Sequence, residues 1–584
     1  MSSSKNSVAA PALPSVAARR RVNFDASIAI PVVTGLIVVW LVALPLVALF
    51  YVTFSEDTPF GPGAFTLANF ADAYRDFNLL KLFRNSFIYA VGSAFLSFVI
   101  GAAVAYVVER TDAPFRGAFH ILSITCFALP GLLVAMSWTL IASPNIGWAN
   151  ALAQQAFGLS SPLFNIYSMG GMIWALASHN FPLVYMLMAP AFRLLDARLE
   201  EAALVSGAQA YQVAARVTLP LLRPAILSTL LLLFIRGIES FEVPRIIGMP
   251  GHIAVFTAEI QDATSTLPPR FGAAGALSMT LLLLCLISIF FYRRATRAAD
   301  AFATLGGKGH GTMRVKLGVW RWPLGLAMAL MFAVILGLPL FTLFWQSFFH
   351  NVSAPQLSLI ASASLENYRY LLSYPVFREA AFDSLGLGVM AATIVVLLTF
   401  VMAAIAQRAP RRLSAAIDAL LFAPVAIPSV IIGAAILFAY LMLPIPIYNT
   451  IWILLIAYLT LYLPYGMRFA ASGLAQINRE LEEIAEISGA NLFHIFRRVL
   501  MPLLAPVLVA AWLYIFVLVI RELSASIFLA GPHTHVLATV SLTLWEGGGS
   551  IGAVCALGVL EIVPLVLIVL VMRRIETTRR ASVF

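Results

Sequence analysis

Two segments of the chain carry the same acidic, turn-forming and proline residues at the same spacing. The first begins Glu201-Ala-Ala-Leu-Val-Ser-Gly207 and reaches Pro220, and the second begins Glu483-Ile-Ala-Glu-Ile-Ser-Gly489 and reaches Pro502. Each landmark of the second segment lies 282 residues after its counterpart in the first. Carboxylates favour the positive end of a helix dipole, glycine allows a left-handed turn, and proline suits the first turn of a helix. Both segments are therefore predicted to form a helix–turn–helix, with short second helices over 208–217 and 490–499, that offers a carboxylate to a partner.

Ionisable residues inside apolar runs form a second group of candidates. Such residues are costly in a membrane and usually face the interior of a helix bundle. Arg236 lies three positions before Glu239, and Glu242 three before Arg245, so each pair could neutralise itself along one helix. The residues that we single out are Arg236, Glu239, Glu242, Arg521 and Glu522. They predict either the lining of a polar pathway or contacts between helices, and the sequence leaves both interpretations open.

The composition identifies the surroundings in which these residues must be positioned. Hydrophobic residues make up 61% of the 584 residues and charged residues only 11%, with a mean hydropathy of +0.92. Soluble domains carry roughly 25% charged residues. About 20 apolar residues in a helix cross the ~30 Å hydrocarbon core of a bilayer, and helices satisfy their own backbone there. The chain is therefore predicted to be an all-α membrane protein.

Twelve membrane spans fit the apolar runs, six in each half. The first six are predicted at 27–54, 85–107, 117–142, 168–193, 224–245 and 270–292. The second six are predicted at 322–348, 384–406, 417–443, 450–472, 506–530 and 551–572. An even number of spans gives both halves the same orientation, which predicts a parallel repeat. The recurrence of Leu67-Ala-Asn69 as Leu365-Glu-Asn367, at an offset of 298, supports a duplicated chain.

The distribution of Lys and Arg predicts the orientation and the domain boundaries. Basic residues cluster in a tail over 1–26, which we interpret as disordered, in a linker over 299–320 and at the carboxyl end. The two halves then occupy 27–298 (core about 82–293) and 321–584 (core about 380–573). The loop over 143–167 carries no charged residue. By the positive-inside rule, both termini and both repeated segments are cytoplasmic, and the net charge of +10 reflects this asymmetry rather than nucleic-acid binding.

No pattern in the sequence predicts a catalytic centre, a metal site or a bound cofactor. His179 and Glu561 are isolated polar groups in apolar runs, and we interpret them as packing contacts. The three cysteines lie within predicted spans and lack metal-ligand spacing: Cys126, Cys285 and Cys555. Gly306-Gly307-Lys308-Gly309 resembles a phosphate loop, but Phe302 stands where the first glycine is needed and Gly309 replaces the Ser or Thr. The chain is therefore predicted not to be an ATPase itself.

The repeated segments resemble the cytoplasmic signature, the EAA motif, of bacterial binding-protein-dependent ABC importer permeases. That signature is Glu-Ala-Ala, three residues, Gly, nine residues, an aliphatic residue, one further residue and Leu-Pro. The first copy matches it at Glu201, Ala202, Ala203, Gly207 and Pro220. The second copy matches it at Glu483, Ala485, Gly489 and Pro502. It departs at Ile484 and Met501, which are both apolar, and so retains the acid, the turn and the proline.

The resemblance implies a division of labour among several proteins. It implies two parallel six-helix repeats of the type I importer fold in the inner (plasma) membrane, fused in one chain. Two copies of a cytoplasmic ABC ATPase would dock on the repeated segments, where Glu201 and Glu483 would pair with basic residues. A solute-binding protein on the outer side would select the cargo.

The cargo is predicted only through the resemblance. The fused form, together with Glu239-Ser-Phe-Glu-Val-Pro244 and Glu522-Leu-Ser-Ala-Ser526, resembles permeases of the ferric-iron import group. Importers of phosphonate, thiamine and polyamines share this architecture and stay open as alternatives. A secondary transporter with two parallel six-span halves is a remoter alternative, and a membrane scaffold without transport is another.

Overall fold

The computed structural model describes residues 26–56, 63–193, 195, 197–303, 314–478, 480–489, 492–547 and 549–582. The described part is almost wholly helical. The first half contains α1 Ala26–Phe54, α2 Ala68–Asp76, α3 Leu79–Arg110, α4 Arg116–Cys126, α5 Gly131–Ala142, α6 Trp148–Phe157, α7 Met169–Arg193, α8 Ala197–Val205, α9 Ala210–Val213, α10 Leu219–Glu239, α11 Phe256–Ser265 and α12 Phe271–Ala303. The predicted tail lies outside the described residues up to position 25, as does Gly306–Gly309 of the linker.

The second half repeats this order of helices, except that α6 has no counterpart in it. It contains α13 Arg321–Phe332, α14 Leu338–Gln346, α15 Glu366–Ser373, α16 Pro375–Arg408, α17 Arg411–Phe422, α18 Ser429–Met442, α19 Ile451–Leu474, α20 Glu480–Ile487, α21 Leu492–Ile495, α22 Met501–Ile520, α23 Ser526–Leu529, α24 Leu537–Glu546 and α25 Ile551–Ser582. A π-helical turn joins α13 to α14. The long helices α3, α7 and α10 of the first half correspond to α16, α19 and α22 of the second.

The predicted membrane spans are present as helices of sufficient length and apolarity. Ten such helices occur in the described part of the chain, and the number rises to twelve if each of two bent helix pairs counts as one span. The protein is therefore an all-α membrane protein built from two repeats, as the sequence predicts.

The third and ninth predicted spans are not continuous helices, and this is a correction. Helices α4 and α5 bend by 105° at a break over 127–130, and α17 bends by 102° against α18 at the matching place. Pro130 and Pro428 stand at the two breaks, 298 residues apart, in extended conformation with ψ of 134° and 140°. Proline disfavours helix in the residue before it and donates no backbone hydrogen bond, so each helix must end there.

The fifth and eleventh spans also end earlier than predicted. Helix α10 ends at Glu239 rather than at 245, and α22 ends at Ile520 rather than at 530. Beyond these ends the chain forms short turns and helices that are largely buried within the protein. Glu239 and Arg521, which the 282-residue spacing aligns, thus lie at the same structural position, where a long helix ends.

Each half contributes its first helix to the packing of the other half. Helix α1 packs against α18 and α16, and α14 packs against α5. The Trp40 indole donates a hydrogen bond to the Tyr440 hydroxyl at 3.1 Å, and the Trp148 indole donates to the Thr342 hydroxyl at 3.2 Å. The halves are therefore interlocked rather than merely joined by the linker.

The recurring asparagine has the same task in both halves. The Asn69 side-chain amide donates to the carbonyl oxygens of Thr53 at 3.1 Å and Ser55 at 2.7 Å, where α1 ends. The Asn367 amide likewise donates to the carbonyl of Ser347 at 2.9 Å, just after α14. In each half the asparagine satisfies carbonyl groups that the end of a helix leaves without a partner.

Asn69→Ala should destabilise the protein by about 1–3 kcal/mol, because it leaves buried carbonyl oxygens without a donor. Asn69→Asp should be at least as damaging, since a carboxylate keeps the size but cannot donate. The midpoint of thermal unfolding in detergent measures both. Gln155→Ala, at an exposed position, should leave that midpoint unchanged, and an unchanged midpoint in Asn69→Asp would contradict the assigned role.

Candidate docking loops and transport pathway

The two repeated segments form similar turns, which we name the first repeat loop (197–220) and the second repeat loop (480–502). Gly207 has a φ of +89° and Gly489 a φ of +81°. A Cβ atom built on either glycine would meet nothing within 4 Å. The backbone conformation rather than crowding therefore requires glycine at both turns. In the first loop the amide of Ala208 donates to the carbonyl of Ala203 at 3.0 Å, which closes the end of α8.

The predicted docking residues lie largely on the surface. Glu201, Ala202, Gly207 and Pro220 are exposed, as are Gly489 and Pro502, whereas Ala203 and Ala485 are half-buried. Glu483 lies in α20, but its side chain is outside the described part of the structure. Two neighbouring apolar side chains are unusually open, with Val205 89% exposed and Ile487 87% exposed. Each loop thus presents an apolar residue beside its turn.

The prolines do not start separate helices, which corrects the prediction of short helices over 208–217 and 490–499. The first loop continues from α9 through a π-helical turn over Ala214–Thr218 directly into α10. The second continues from α21 through a π-helical turn over Phe496–Leu500 into α22. Pro220 and Pro502 each occupy the first turn of the long helix. Motion of a repeat loop can therefore pass along one uninterrupted helix into the membrane.

Glu200, which is not among the predicted docking residues, anchors the first repeat loop to the bundle. It forms an ion pair with Arg110 at the end of α3 and accepts a hydrogen bond from the Thr218 hydroxyl at 2.7 Å. The Arg110 side chain is only 2% exposed and that of Glu200 12%. The adjacent Glu201 is exposed. One carboxylate of the pair thus holds the loop, and the other is available to a partner.

Among the pathway candidates, only one of the two predicted local pairs forms. Arg236 and Glu239 are joined at 2.9 Å, as predicted. The expected pairing of Glu242 with Arg245 is wrong, although both residues lie in the helical segment that follows α10. Arg245 instead contacts Glu546 of the second half at 2.6 and 2.9 Å, and Asp262 at 3.1 Å.

The Arg245 contact bridges the two halves on the side opposite the repeat loops. Its guanidinium makes two parallel hydrogen bonds to the Glu546 carboxylate, a geometry that is stronger than a single charged contact. These hydrogen bonds raise the pKa of Arg245, with the Asp262 carboxylate adding to the effect. The ion pair therefore closes one end of the boundary between the halves.

Arg521 and Glu522 lie where α22 ends, next to the break between α4 and α5. The Arg521 guanidinium donates to the carbonyl of Phe127 and lies 5.3 Å from the centre of its ring. The Glu522 carboxylate accepts hydrogen bonds from the Tyr462 hydroxyl at 2.9 Å and from the amide of Ala525 at 3.0 Å. Arg521 thus belongs to the second half but binds the broken span of the first.

The candidate Glu242 lies at the same break, together with polar groups that the sequence analysis interprets as packing contacts. His179 and Glu242 both lie beside Gly131, the first residue of α5. Arg521 lies within electrostatic range of Arg236, Glu242 and Glu561. His179 Nδ1 and one Glu561 oxygen are buried and have no hydrogen-bond partner among the described residues. The structure thus gathers polar groups from both halves into one region, which we call the central cluster.

No group of three or more His, Cys, Asp or Glu in the described ranges is arranged to hold a metal ion. The three cysteines are buried and not joined in disulfides.

Comparison with known sequences assigns the family. The sequence profile described as "Binding-protein-dependent transport system inner membrane component" matches residues 97–299 and again residues 396–580. The two matches together cover more than half of the chain, and each falls within one half of the fold. The chain belongs to this family. It is a fused permease, with two copies of the inner-membrane component in one polypeptide.

Curated relatives resemble the permease over most of its length. The ferric transport system permease protein FbpB of Actinobacillus pleuropneumoniae is 25% identical over 92% of this chain and 76% of its own. A putative ferric transport system permease protein of Haemophilus influenzae is 25% identical over 86% of this chain and 77% of its own. A putative 2-aminoethylphosphonate permease protein of Salmonella typhimurium is 32% identical, over 22% of this chain and 48% of its own.

A solved structure also resembles part of the permease. It is a bacterial ABC transporter involved in the import of the acidic polysaccharide alginate. It is 18% identical, covers 44% of the permease and 93% of its own chain, and has a TM-score of 0.36.

Disruption of the Arg245–Glu546 pair should weaken the contact between the halves of the permease. In a double-mutant cycle with Arg245→Gln and Glu546→Gln, we expect a coupling energy of about 1–3 kcal/mol, because the ion pair is bidentate and partly desolvated. Chemical denaturation in detergent measures it.

The ion pair between Arg270 and Asp76 is a matched control within one half. Its side chains are 38% and 48% exposed, so its coupling energy should stay below about 1 kcal/mol. Equal coupling energies in the two cycles would contradict a special role for the pair between the halves.

Proposed function

We propose that the permease is the transmembrane subunit of an ATP-driven importer. In this proposal two copies of a cytoplasmic ABC ATPase dock on the two repeat loops, and an external binding protein delivers the solute on the opposite side. Both termini, the tail over 1–26 and the linker over 299–320 then lie in the cytoplasm. The observation that carries the proposal is the pair of exposed, left-handed glycine turns at Gly207 and Gly489, 282 residues apart.

The surface of each repeat loop suits a protein partner. The exposed carboxylate of Glu201 lies about one helical turn before the exposed apolar side chain of Val205. Charged groups at an interface mainly fix the register and the choice of partner, whereas buried apolar contact supplies most of the affinity. Glu201 would therefore select the orientation of the ATPase and Val205 would be buried by it. Ile487 occupies the corresponding place in the second loop.

The helices that follow the repeat loops connect docking to transport. Helix α10 contains 21 residues, which is about 30 Å at 1.5 Å per residue and comparable to the thickness of the hydrocarbon core. It begins at the first repeat loop and ends at Glu239 in the central cluster. Helix α22 makes the same connection to Arg521. Closure of the ATPase pair would tilt both helices and open the central cluster alternately to either side.

The central cluster is the proposed pathway. Arg236 keeps 35% of its side chain accessible and Glu239 keeps 18%, although both lie in the last turn of the membrane helix α10. Charged side chains with accessible surface at this depth favour a polar passage over a purely structural contact. Arg521, Glu522 and Glu242 complete the lining from the other elements that meet there.

Ferric iron is the proposed cargo. The support is that the two ferric permease proteins align with 92% and 86% of this chain, whereas the 2-aminoethylphosphonate relative aligns with 22%. Phosphonate is therefore the second candidate, and thiamine and polyamines stay further alternatives. Membership of a binding-protein-dependent family argues against a secondary transporter and against a scaffold without transport.

Gly207→Val and Gly489→Val should each weaken docking of the ATPase. A β-branched residue at positive φ costs about 1–3 kcal/mol, which corresponds to roughly five- to hundredfold weaker binding if the loop must keep its shape. Co-purification of the ATPase with the tagged permease, and ATP-dependent uptake in membrane vesicles, measure the effect.

Gly158→Val is the matched control for both substitutions. Gly158 has a φ of +64° with nothing within 4 Å of an added Cβ, but it lies before α7, at the end remote from the repeat loops. It should bear the same backbone strain and retain the ATPase. Uptake that survives the double change at Gly207 and Gly489, with all variants in the membrane, would refute the docking proposal.

The cargo is tested with the binding protein encoded beside the permease gene. We expect that protein to bind ferric iron in a calorimetric titration and to stimulate ATP hydrolysis by the assembled transporter only when loaded. Glu239→Gln should then lower iron uptake while the ATPase still co-purifies. Binding of 2-aminoethylphosphonate and not of iron would replace the cargo and leave the importer assignment intact.

A further inference from the structure

The end of α3 fastens the first repeat loop where the chain enters it. Glu109 accepts a hydrogen bond from Arg193 Nε at 3.0 Å, within an ion pair, and Arg193 is the last residue of α7 before the loop. Arg110 is paired with Glu200 of α8, just inside the loop. Glu109 and Arg110 thus hold the chain at two places, at Arg193 just before the loop and at Glu200 just inside it.

The same end of α3 also holds the linker between the halves. The amide of Val315 donates to the carbonyl of Arg110 at 2.8 Å, and the amide of Asp112 donates to the carbonyl of Val315 at 3.3 Å. The Asp112 carboxylate accepts a hydrogen bond from the amide of Leu317 at 2.9 Å. These contacts form a short backbone ladder directly next to the Arg110 side chain. The linker is therefore part of the structure here and not a loose tether.

The start of the second half contacts Pro114 and Phe115, which follow the end of α3 in the chain. A Cβ atom on Gly325 of α13 would lie 2.4 Å from Pro114, so the two segments touch. The rings of Phe115 and Trp322 meet edge to face at 6.2 Å between centroids. The chain from Glu109 to Phe115 consequently contacts the first repeat loop on one side and the first helix of the second half on the other.

The second repeat loop cannot be held by the same set of groups. At the corresponding positions Gln407 replaces Glu109, Ala475 replaces Arg193 and Pro410 replaces Asp112. An alanine cannot form the ion pair of Arg193, and a proline has neither the amide hydrogen nor the carboxylate of Asp112. Of this arrangement only the Arg110–Glu200 pair recurs in sequence, as Arg408 and Glu482.

We propose that Arg110 is a positioning residue that makes the first repeat loop, the end of α3 and the linker move as one body. Through this body the first loop acts on the start of the second half as well as on its own half. The connection to ATP-driven motion rests on the proposed function, but the rigid connection itself does not. Arg110 is suited to the task because its buried side chain meets the loop while its backbone meets the linker.

Two labels test whether the body is rigid. Leu199 in the first repeat loop and Val319 at the end of the linker are 49% and 87% exposed, and the native cysteines are buried. Nitroxide labels on Leu199→Cys and Val319→Cys give a distance distribution by double electron–electron resonance in lipid nanodiscs. We expect one narrow distribution, unchanged when ATP and the ATPase are added.

Loss of the Arg110–Glu200 contact should broaden that distribution. Arg110→Gln removes one charge of a buried pair and could prevent folding, whereas the double variant Arg110→Gln/Glu200→Gln leaves no buried charge unpaired. The double variant should fold and give a broad distribution, and Arg110→Lys should restore part of the narrow one. Asp112→Ala should broaden it as well, because it removes the acceptor of the Leu317 amide.

Arg408→Gln is the matched control in the second half and should leave the Leu199–Val319 distribution narrow. The proposal would be overturned if the distance distribution of the double variant were as narrow as that of the original protein. It would also be overturned if the original protein itself gave a broad distance distribution. If the ATPase fails to co-purify, only the proposed function is refuted. The distances measured without nucleotide still test whether the first repeat loop and the linker are rigidly connected.

Discussion

The backbone of a chain in lipid must satisfy its own hydrogen bonds, and the rest of this structure depends on that constraint. Unbroken helices meet it, so a helix can break at membrane depth only where protein surrounds the break. At the break before Pro130, Arg521 supplies a donor to the freed carbonyl of Phe127. At the end of α10, the Thr257 hydroxyl donates to the carbonyl of Ser240 at 2.7 Å. The polar interior of the permease is therefore located where its helices stop.

The sequence predicted the features that local chemistry dictates. Apolar runs predicted the membrane helices, and the repeated spacing predicted two equivalent halves with a glycine turn in each. The bends at Pro130 and Pro428 were missed, because hydropathy reports how apolar a segment is and not the direction in which it runs. The recurrence of an aliphatic residue followed by proline at the 298-residue offset was an available signal. The pairing of Glu242 with Arg245 failed because spacing along one helix cannot show that carboxylates of other elements, Asp262 and Glu546, bind Arg245.

The roles of two adjacent glutamates also lay beyond the sequence. Successive residues of a helix point about 100° apart, so Glu200 faces the bundle while Glu201 faces outward. Which of the two faces inward depends on the location of Arg110, some 90 residues earlier in the chain. Spacing alone reveals that both acids recur, but only the packing of α3 against the loop distinguishes an anchor from a contact surface.

The exchange of first helices between the halves has a consequence for biosynthesis. The contact between Trp40 and Tyr440 joins residues 400 positions apart, so α1 enters the membrane long before its partner α18 has been synthesised. During that interval lipid must cover the surface of α1 that later packs against protein. A helix that is apolar on all sides, as α1 is, tolerates this delay. The order of synthesis thus limits how polar the surface of α1 that packs against the second half can be.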